Sequence, residues 1–208
     1  MSSFDMARII SKTDLPSPTR RQRIGLYGGS FDPVHAGHMH VAKTALKQLK
    51  LDQVWWFPSP GNPLKKTPGS YEQRFAAVEA VIAGHPAMVA SRVEQRSQIR
   101  YTIDLVRMAK QYCRKSDLVW IMGSDNLATL DHWKDWSGIV GSLPIAVIAR
   151  PGHLIGGRRT PLINKFKSAR IPQNQAARLP GLNPPAWTLI SNRLNSESST
   201  QKRNGSSR

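Results

Sequence analysis

The stretch GLYGGSFDPVHAGHMHVA, residues 25–42, decides the fold and raises the question of function. An apolar run precedes two glycines, and the loop after them enters a segment with three of the chain's six histidines. When a glycine turn joins a strand to a helix, the helix N-terminus can bind a phosphate. The glycines let the ligand approach the backbone closely, and the unpaired N–H groups of the first helical turn attract the anion. The alternative is a surface helix whose histidines cluster without a shared role.

The spacing of the histidines favours the phosphate loop. His35 lies just before the predicted helix and His38 in its first turn, so both imidazoles can point into the crevice at the strand end. Two N–H donors there would stabilise negative charge that develops on a phosphoryl group during transfer. His40 lacks this spacing, and we interpret it as structural. Two familiar phosphate loops are excluded, because G-x-x-x-x-G-K-[ST] is absent and the turn is not G-x-G-x-x-G.

Apolar runs alternate with helical patterns along the chain. Strands are predicted at residues 23–29, 53–58, 87–91, 118–123, 145–149 and 186–190. Helices are predicted at residues 37–49, 71–83, 102–114, 126–131 and 162–169. Strands that are apolar on both faces and alternate with helices indicate a parallel sheet covered by helices. The fold class is therefore α/β, a doubly wound, Rossmann-like parallel sheet with its ligand site at the carboxyl ends of the strands.

Length and composition indicate a single domain. At 208 residues the chain can bury a core without disulfides, and residues 23–208 are predicted to form a single domain. Residues 1–22 are polar and are interpreted as a mobile N-terminal tail that can be removed without loss of stability or activity. The single Cys113, the lack of a signal-peptide pattern and the lack of a membrane-spanning apolar run indicate a cytoplasmic protein.

The chain is strongly basic. Thirty Lys and Arg residues against thirteen Asp and Glu give a net charge of +17, which favours nucleic acids, anionic membranes or phosphorylated small molecules as partners. A non-enzymatic nucleic-acid-binding protein would account for the charge, but not for paired histidines at a glycine turn, and no aromatic-basic RNA motif is present. We therefore expect neither a nucleic-acid nor a membrane partner, and we interpret the basic stretch at residues 158–178 as a solvated face.

The loop GGSFDPVHAGH resembles the signature of the HxGH nucleotidylyltransferases, which join a nucleotide to a phosphorylated acceptor. Within them the chain is similar to the nicotinate-nucleotide adenylyltransferases over residues 23–203, and further segments match in order. These are YT (101–102), GSD (123–125) as G-x-D, LATLDHWKDW (127–136) as L-x-x-L-x-x-W-x-x-W, ARP (149–151) and SSTQKR (198–203). Two departures are Leu64, where relatives usually have His, and Lys202, where they have an aliphatic residue.

The resemblance implies that ATP and nicotinate mononucleotide give deamido-NAD and pyrophosphate. The acceptor phosphate would attack the α-phosphorus of ATP in line, with Mg²⁺ on the ATP phosphates and no metal site in the protein. His35 and His38 would be the catalytic residues and would bind the triphosphate. The other ATP-binding residues would be Gly28, Gly29, Ser30, Phe31, Gly123, Asp125, Ser199, Thr200 and Arg203. Nicotinate mononucleotide would bind to Lys65, Tyr101, Thr102, Trp133 and Arg150, with Trp133 stacked on the pyridine ring.

Alternative acceptors remain open at this point. The chain can act on nicotinamide mononucleotide or another phosphorylated acceptor, since acid and amide differ by one group on the same ring. A pantetheine-phosphate adenylyltransferase would share the fold, but that family resembles T-x-G-H, and His35 is not Thr. A cytidylyltransferase for small phospho-alcohols keeps HxGH but lacks the W-x-x-W segment that occurs here.

Overall fold

A computed structural model describes residues 15, 20–61, 69–149 and 160–191 and contains one six-stranded sheet. The strands are β1 (Arg23–Gly29), β2 (Gln53–Pro58), β3 (Met88–Ala90), β4 (Asp117–Gly123), β5 (Ile145–Ile148) and β6 (Trp187–Ile190). Their order is β3-β2-β1-β4-β5-β6, and every neighbouring pair is parallel. The prediction of a doubly wound parallel sheet is confirmed, and each predicted strand is present to within one or two residues.

Helices connect the strands. They are α1 (Ala36–Gln48), α2 (Tyr71–Ile82), α3 (Val93–Arg96), α4 (Thr102–Tyr112), α5 (Trp136–Ser142) and α6 (Pro161–Lys165). Short 3₁₀ segments lie at Ser124–Ala128, Leu130–His132, Lys167–Ala169 and Gln173–Gly181. The helix predicted at residues 126–131 is thus replaced by two 3₁₀ turns. The sequence did not indicate α3 or α5, because helices of four and seven residues are too short for an apolar repeat to be recognised. No described helix has the length and apolar content that a membrane crossing requires.

The sheet is buried on both faces. Adjacent residues of a strand point to opposite faces, so that Trp55 belongs to one apolar cluster and Trp56 to the other, each with no exposed surface. Leu26 and Tyr27 of β1 are divided between the two clusters in the same way. This two-sided burial explains why the strands read as continuous apolar runs rather than as alternating patterns.

The described residues of the N-terminal segment contact the rest of the fold. Leu15 has no exposed surface and packs in the apolar cluster that contains Ile24 and Trp120. Arg21 forms a salt bridge of 2.8 Å with Asp117, whose backbone N–H donates to the carbonyl of Gln22. The mobile tail over residues 1–22 stays a prediction, although Leu15, Arg21 and Gln22 make these contacts with the rest of the fold. Leu15 lies between polar residues and prolines in residues 11–22 and so gives no periodic signal, although its burial can anchor the chain.

The strand order reverses between β1 and β4, which lie side by side at the centre of the sheet. In a doubly wound sheet the crevice at this reversal, outside the carboxyl ends of the strands, is where ligands bind. The loop after β1 is the glycine and histidine loop, and the loop after β4 carries Asp125. Topology therefore brings two sequence-distant candidate segments to one place.

Candidate active site

A cavity of about 490 Å³ opens at the carboxyl ends of β1 and β4, which is a size suited to a small-molecule ligand. The residues that line it are Tyr27, Gly28, Gly29, Ser30, Asp32, Pro33, His35, His38, Ser59, Gly61, Arg100, Asp125, Asn126, Thr129, His132 and Trp133. The sequence-predicted set contributes the two histidines predicted to be catalytic, the glycine pair, Ser30, Asp125 and Trp133. Lys65, Arg150, Ser199, Thr200 and Arg203 lie outside the described residues.

Packing as well as access favours glycine at the two positions of the turn. A Cβ atom on Gly28 would lie 2.7 Å from the ring of Trp120, and one on Gly29 would lie 3.2 Å from the ring of Phe31. The left-handed conformation in this turn belongs to Phe31, whose φ is +48°. Close approach of a ligand is therefore not the only reason for glycine at these positions, because aromatic rings fill the space beneath them.

The ring of Phe31 is buried and packs against other aromatic rings beside the cavity. Its side chain is 1% exposed and is absent from the cavity wall. The ring centroid of Phe31 lies 5.1 Å from that of His38 at an interplanar angle of 71°, and 5.4 Å from that of Tyr27. The predicted contribution of Phe31 to ATP binding is therefore limited to its backbone, while its ring holds His38 in place.

The backbone of the turn offers donors for an anion. Within the part of the chain that the structure describes, no hydrogen bond involves the N–H groups of Ser30 and Phe31. Helix α1 begins five residues further on, and its N-terminal end carries the positive end of the helix dipole. Unpaired N–H groups beside a helix N-terminus favour a bound phosphate.

The two histidines have a defined hydrogen-bonding arrangement. Nδ1 of His35 accepts from the backbone N–H of Gly37 at 3.1 Å, and Nδ1 of His38 accepts from the backbone N–H of His35 at 3.2 Å. Together they form a reciprocal cap of α1, with the ring centroids 4.0 Å apart. Because Nδ1 is an acceptor in both rings, each neutral imidazole carries its hydrogen on Nε2. Both rings line the cavity, so Nε2–H is the group that each can offer a ligand.

The opposite wall follows β4. Asp125 lies in the first 3₁₀ turn, while Gly123 ends the strand, is buried and does not line the cavity. Trp133 is half-buried, and its ring meets Trp120 edge to face at 6.4 Å and 88°. Thr129 and His132 add polar groups from the same turns. They were missed because 3₁₀ turns have no sequence repeat as clear as that of an α-helix.

The segment predicted to contact the acceptor ring is only partly at the cavity. Arg100 lines the wall, but Tyr101 and Thr102 are not among the lining residues. The ammonium of Lys134 lies 4.0 Å from the centroid of the Tyr101 ring, and Thr102 begins α4. Asp104, the nearest acid along the chain, faces Arg107 at 3.6 Å. The charged group that this segment presents to the cavity is therefore the guanidinium of Arg100.

Two carboxylates reach the cavity wall, those of Asp32 and Asp125. Oδ2 of Asp32 is buried and has no hydrogen-bond partner within the described residues. Across those same residues no group of three or more His, Cys, Asp or Glu side chains is arranged to hold a metal ion. Cys113 lies at the end of α4, away from the cavity, and burial raises the pKa of its thiol to about 12.

Comparisons with known proteins agree with this geometry. A family model described as cytidylyltransferase-like matches residues 26–204. A probable nicotinate-nucleotide adenylyltransferase of Caulobacter sp. (strain K31) is 42% identical over 183 residues, covering 87% of this chain and 96% of the relative. Another, from Ruegeria sp. (strain TM1040), is 39% identical over 180 residues, covering 86% of this chain and 95% of the relative.

Solved structures support the fold. The Plasmodium falciparum nicotinic acid mononucleotide adenylyltransferase complexed with NaAD has a TM-score of 0.63 and 19% identity, with 88% of this chain and 83% of that chain covered. At this identity the likeness is one of fold. With the glycine turn, the histidine pair and the relatives at about 40% identity taken together, the chain belongs to the cytidylyltransferase-like family and, within it, to the nicotinate-nucleotide adenylyltransferases.

Proposed function

We propose that this protein transfers the adenylyl group of ATP to nicotinate mononucleotide and so forms deamido-NAD and pyrophosphate. The observation that carries the proposal is the pair His35 and His38, which cap α1 through Nδ1 and line the cavity at the strand reversal. The names of the relatives at 39% and 42% identity support the choice of acceptor. The substrates are small phosphorylated molecules, and the net charge of +17 suits them without a nucleic-acid partner.

The chemistry needs no covalent intermediate on the protein. A phosphate oxygen of the acceptor forms a bond to the α-phosphorus of ATP, and the bond from that phosphorus to the β-phosphate oxygen breaks as pyrophosphate leaves. His35 and His38 donate from Nε2 to the phosphate oxygens on which charge increases, and the N–H groups of Ser30 and Phe31 add donors from the turn. ATP is proposed to enter with Mg²⁺ on its phosphates, beside the carboxylates of Asp32 and Asp125.

The acceptor is assigned to the wall formed by Trp133 and Arg100. The Trp133 ring suits stacking on the flat pyridine, and Arg100 supplies a cationic donor for the nicotinate carboxylate or for a phosphate. Tyr101 and Thr102 remain proposed contacts through their backbone. Lys65 and Arg150 remain proposed acceptor contacts, and Ser199, Thr200 and Arg203 proposed phosphate contacts, on the family resemblance alone. We propose a cytoplasmic location, consistent with a single, buried Cys113.

The deciding experiment is product analysis with ATP, Mg²⁺ and either nicotinate or nicotinamide mononucleotide. A carboxylate and a carboxamide present the same ring to Trp133, so discrimination depends on groups near the substituent. Arg100 is a donor, and Asp104 does not line the cavity. We expect kcat/KM to favour the acid by about 30-fold, or about 2 kcal/mol, since charge-assisted hydrogen bonds reach that size. Equal values would contradict the acid preference, and no dinucleotide from either acceptor would contradict adenylyl transfer.

A further inference from the structure

Arg74 connects three backbone segments from a buried position on α2. Its side chain belongs to a residue that is 5% exposed, and its Nη1 donates to the carbonyl of Ser30 at 2.6 Å and to that of Ser59 at 2.9 Å. Its Nε donates to the carbonyl of Gly69 at 3.3 Å. One guanidinium thus joins the turn after β1, the turn after β2 and the start of α2.

These contacts begin where the sheet ends. The β1–β2 pairing runs to Gly29 and Pro58, and the N–H of Ser59 donates to the carbonyl of Gly29 at 2.9 Å. Among the described residues no strand hydrogen bond joins the two turns beyond this point, and Arg74 donates to the next carbonyl of each chain segment. Ser30 and Ser59 both line the cavity, so Arg74 fixes the separation of two of its walls.

The charge of Arg74 is directed to the backbone rather than to a carboxylate. Across the described residues Arg74 has no salt bridge, and its Nη1 and Nε donate to carbonyl oxygens. Burial of a cation is unfavourable unless hydrogen bonds compensate it, and here the compensating bonds hold two turns in one geometry. The positive charge also lies beside the turn that we propose to bind phosphates, because Nη1 donates to the carbonyl of Ser30.

The Ser30 carbonyl controls the donors of the turn. A trans peptide is planar, so when this carbonyl points to Arg74 the N–H of Phe31 points the opposite way. Phe31 has φ of +48°, a conformation that a non-glycine residue keeps only when its surroundings hold it. Its ring in turn contacts that of His38, with centroids 5.1 Å apart. A contact path therefore runs from Arg74 through Ser30 and Phe31 to the predicted catalytic histidine.

We propose that Arg74 is a positioning residue for adenylyl transfer. It holds the Ser30–Phe31 peptide and the Ser59 turn so that the N–H of Phe31 and the ring of His38 are aligned with the reacting phosphate. This inference rests on the proposed function. Misalignment of a site by about 1 Å can lower turnover by about 100-fold, so we expect loss of the Arg74 contacts to lower kcat.

The test compares three variants for kcat, KM for ATP and melting temperature. Arg74→Met removes every donor but keeps the apolar stem, Arg74→Lys keeps the charge but not the planar fork, and Val78→Ala removes packing from the same helix. Val78 is fully buried and contacts neither turn by hydrogen bond, so it is the control for lost stability. All are measured below their melting temperatures with ATP and nicotinate mononucleotide.

We expect Arg74→Met to lower kcat by about 100-fold with a change in KM of less than about fivefold, because alignment acts on the transition state. Arg74→Lys should lose about tenfold, since a lysine does not replace a forked donor. Val78→Ala should melt earlier and keep its kcat. If Arg74→Met does not fold, Arg74→Lys decides, and a loss below about threefold in it overturns the proposal.

A purely structural Arg74 would give equal kcat losses in Arg74→Met and Val78→Ala at equal loss of melting temperature, and that result overturns the inference. The wild-type protein in the same assay separates the two proposals. An inactive wild type contradicts the proposed function, whereas an active wild type with unchanged kcat in both Arg74 variants contradicts the role of Arg74 alone.

Discussion

His35 and His38 cap α1 through Nδ1, and we propose that they serve the site through Nε2 of the same rings. Their Nδ1 atoms accept the backbone N–H groups of Gly37 and His35, which would otherwise lack partners at the start of α1. A serine or aspartate could cap the helix equally well, but neither has a second nitrogen that donates into the cavity. The residue type therefore follows from the double use of the ring.

His38→Ala tests this double use. We expect kcat for adenylyl transfer to fall by about 100-fold or more, as loss of one transition-state donor does. The lost cap should also lower the free energy of unfolding by about 0.5–2 kcal/mol. Steady-state kinetics and thermal unfolding measure the two effects separately.

His40→Ala is the matched control, since His40 lies on the same helix and is not a lining residue of the cavity. It should keep kcat within about threefold, as substitutions that touch no reacting group do. A folded His38→Ala variant with unchanged kcat would remove His38 from the mechanism and leave it as a cap only.

At the scale of elements, the sequence predicted those strands and helices whose residues form a periodic pattern or a chemically distinctive motif. Two-sided apolar runs predicted the strands, and Ser70 is a residue type that favours helix starts and caps α2, where its side chain accepts from the N–H of Gln73 at 3.3 Å. The four-residue α3 gave no such signal. Arg74 was also missed, because in sequence it is one basic residue on an amphipathic helix. Its role depends on two carbonyls that the sheet brings to it from 44 and 15 residues away.

The burial of Leu15, like the contacts of Arg74, could not be predicted from the local sequence. A single buried leucine in a polar stretch is visible only once the core is assembled around it. We expect Leu15→Ala to lower the free energy of unfolding by about 2–5 kcal/mol, the range for buried leucines. A chain that starts at Arg21 loses the same contact and should also melt earlier. Chemical denaturation of both variants measures the effect.

Val81→Ala is the control for Leu15→Ala, because Val81 is a helix residue with 40% of its surface exposed. Its effect on unfolding should stay within about 0.5 kcal/mol, as is usual for surface sites. If the chain from Arg21 had the same melting temperature as the wild type, the burial of Leu15 would contribute nothing to stability. That result would support the interpretation of residues 1–22 as a dispensable tail.

At the scale of the whole molecule, topology and charge act together. The strand reversal places the glycine turn and Asp125 around one cavity although they are nearly 100 residues apart in sequence. The net charge of +17 predicts a positive field around the molecule, and both proposed substrates are anions. Such a field raises the rate at which an anionic ligand reaches a cleft, and salt screens it.

We therefore expect kcat/KM for ATP to fall several-fold between about 20 and about 200 mM salt, as the screening length shortens to about 10 Å or less. The value of kcat at saturating substrates should change by less than about twofold, because bound substrates are no longer steered. Chloride and acetate at equal ionic strength separate screening from competition by one anion, and both should give the same curve. A kcat/KM that is flat with salt would mean that the excess charge lies away from the cavity mouth and does not assist substrate capture.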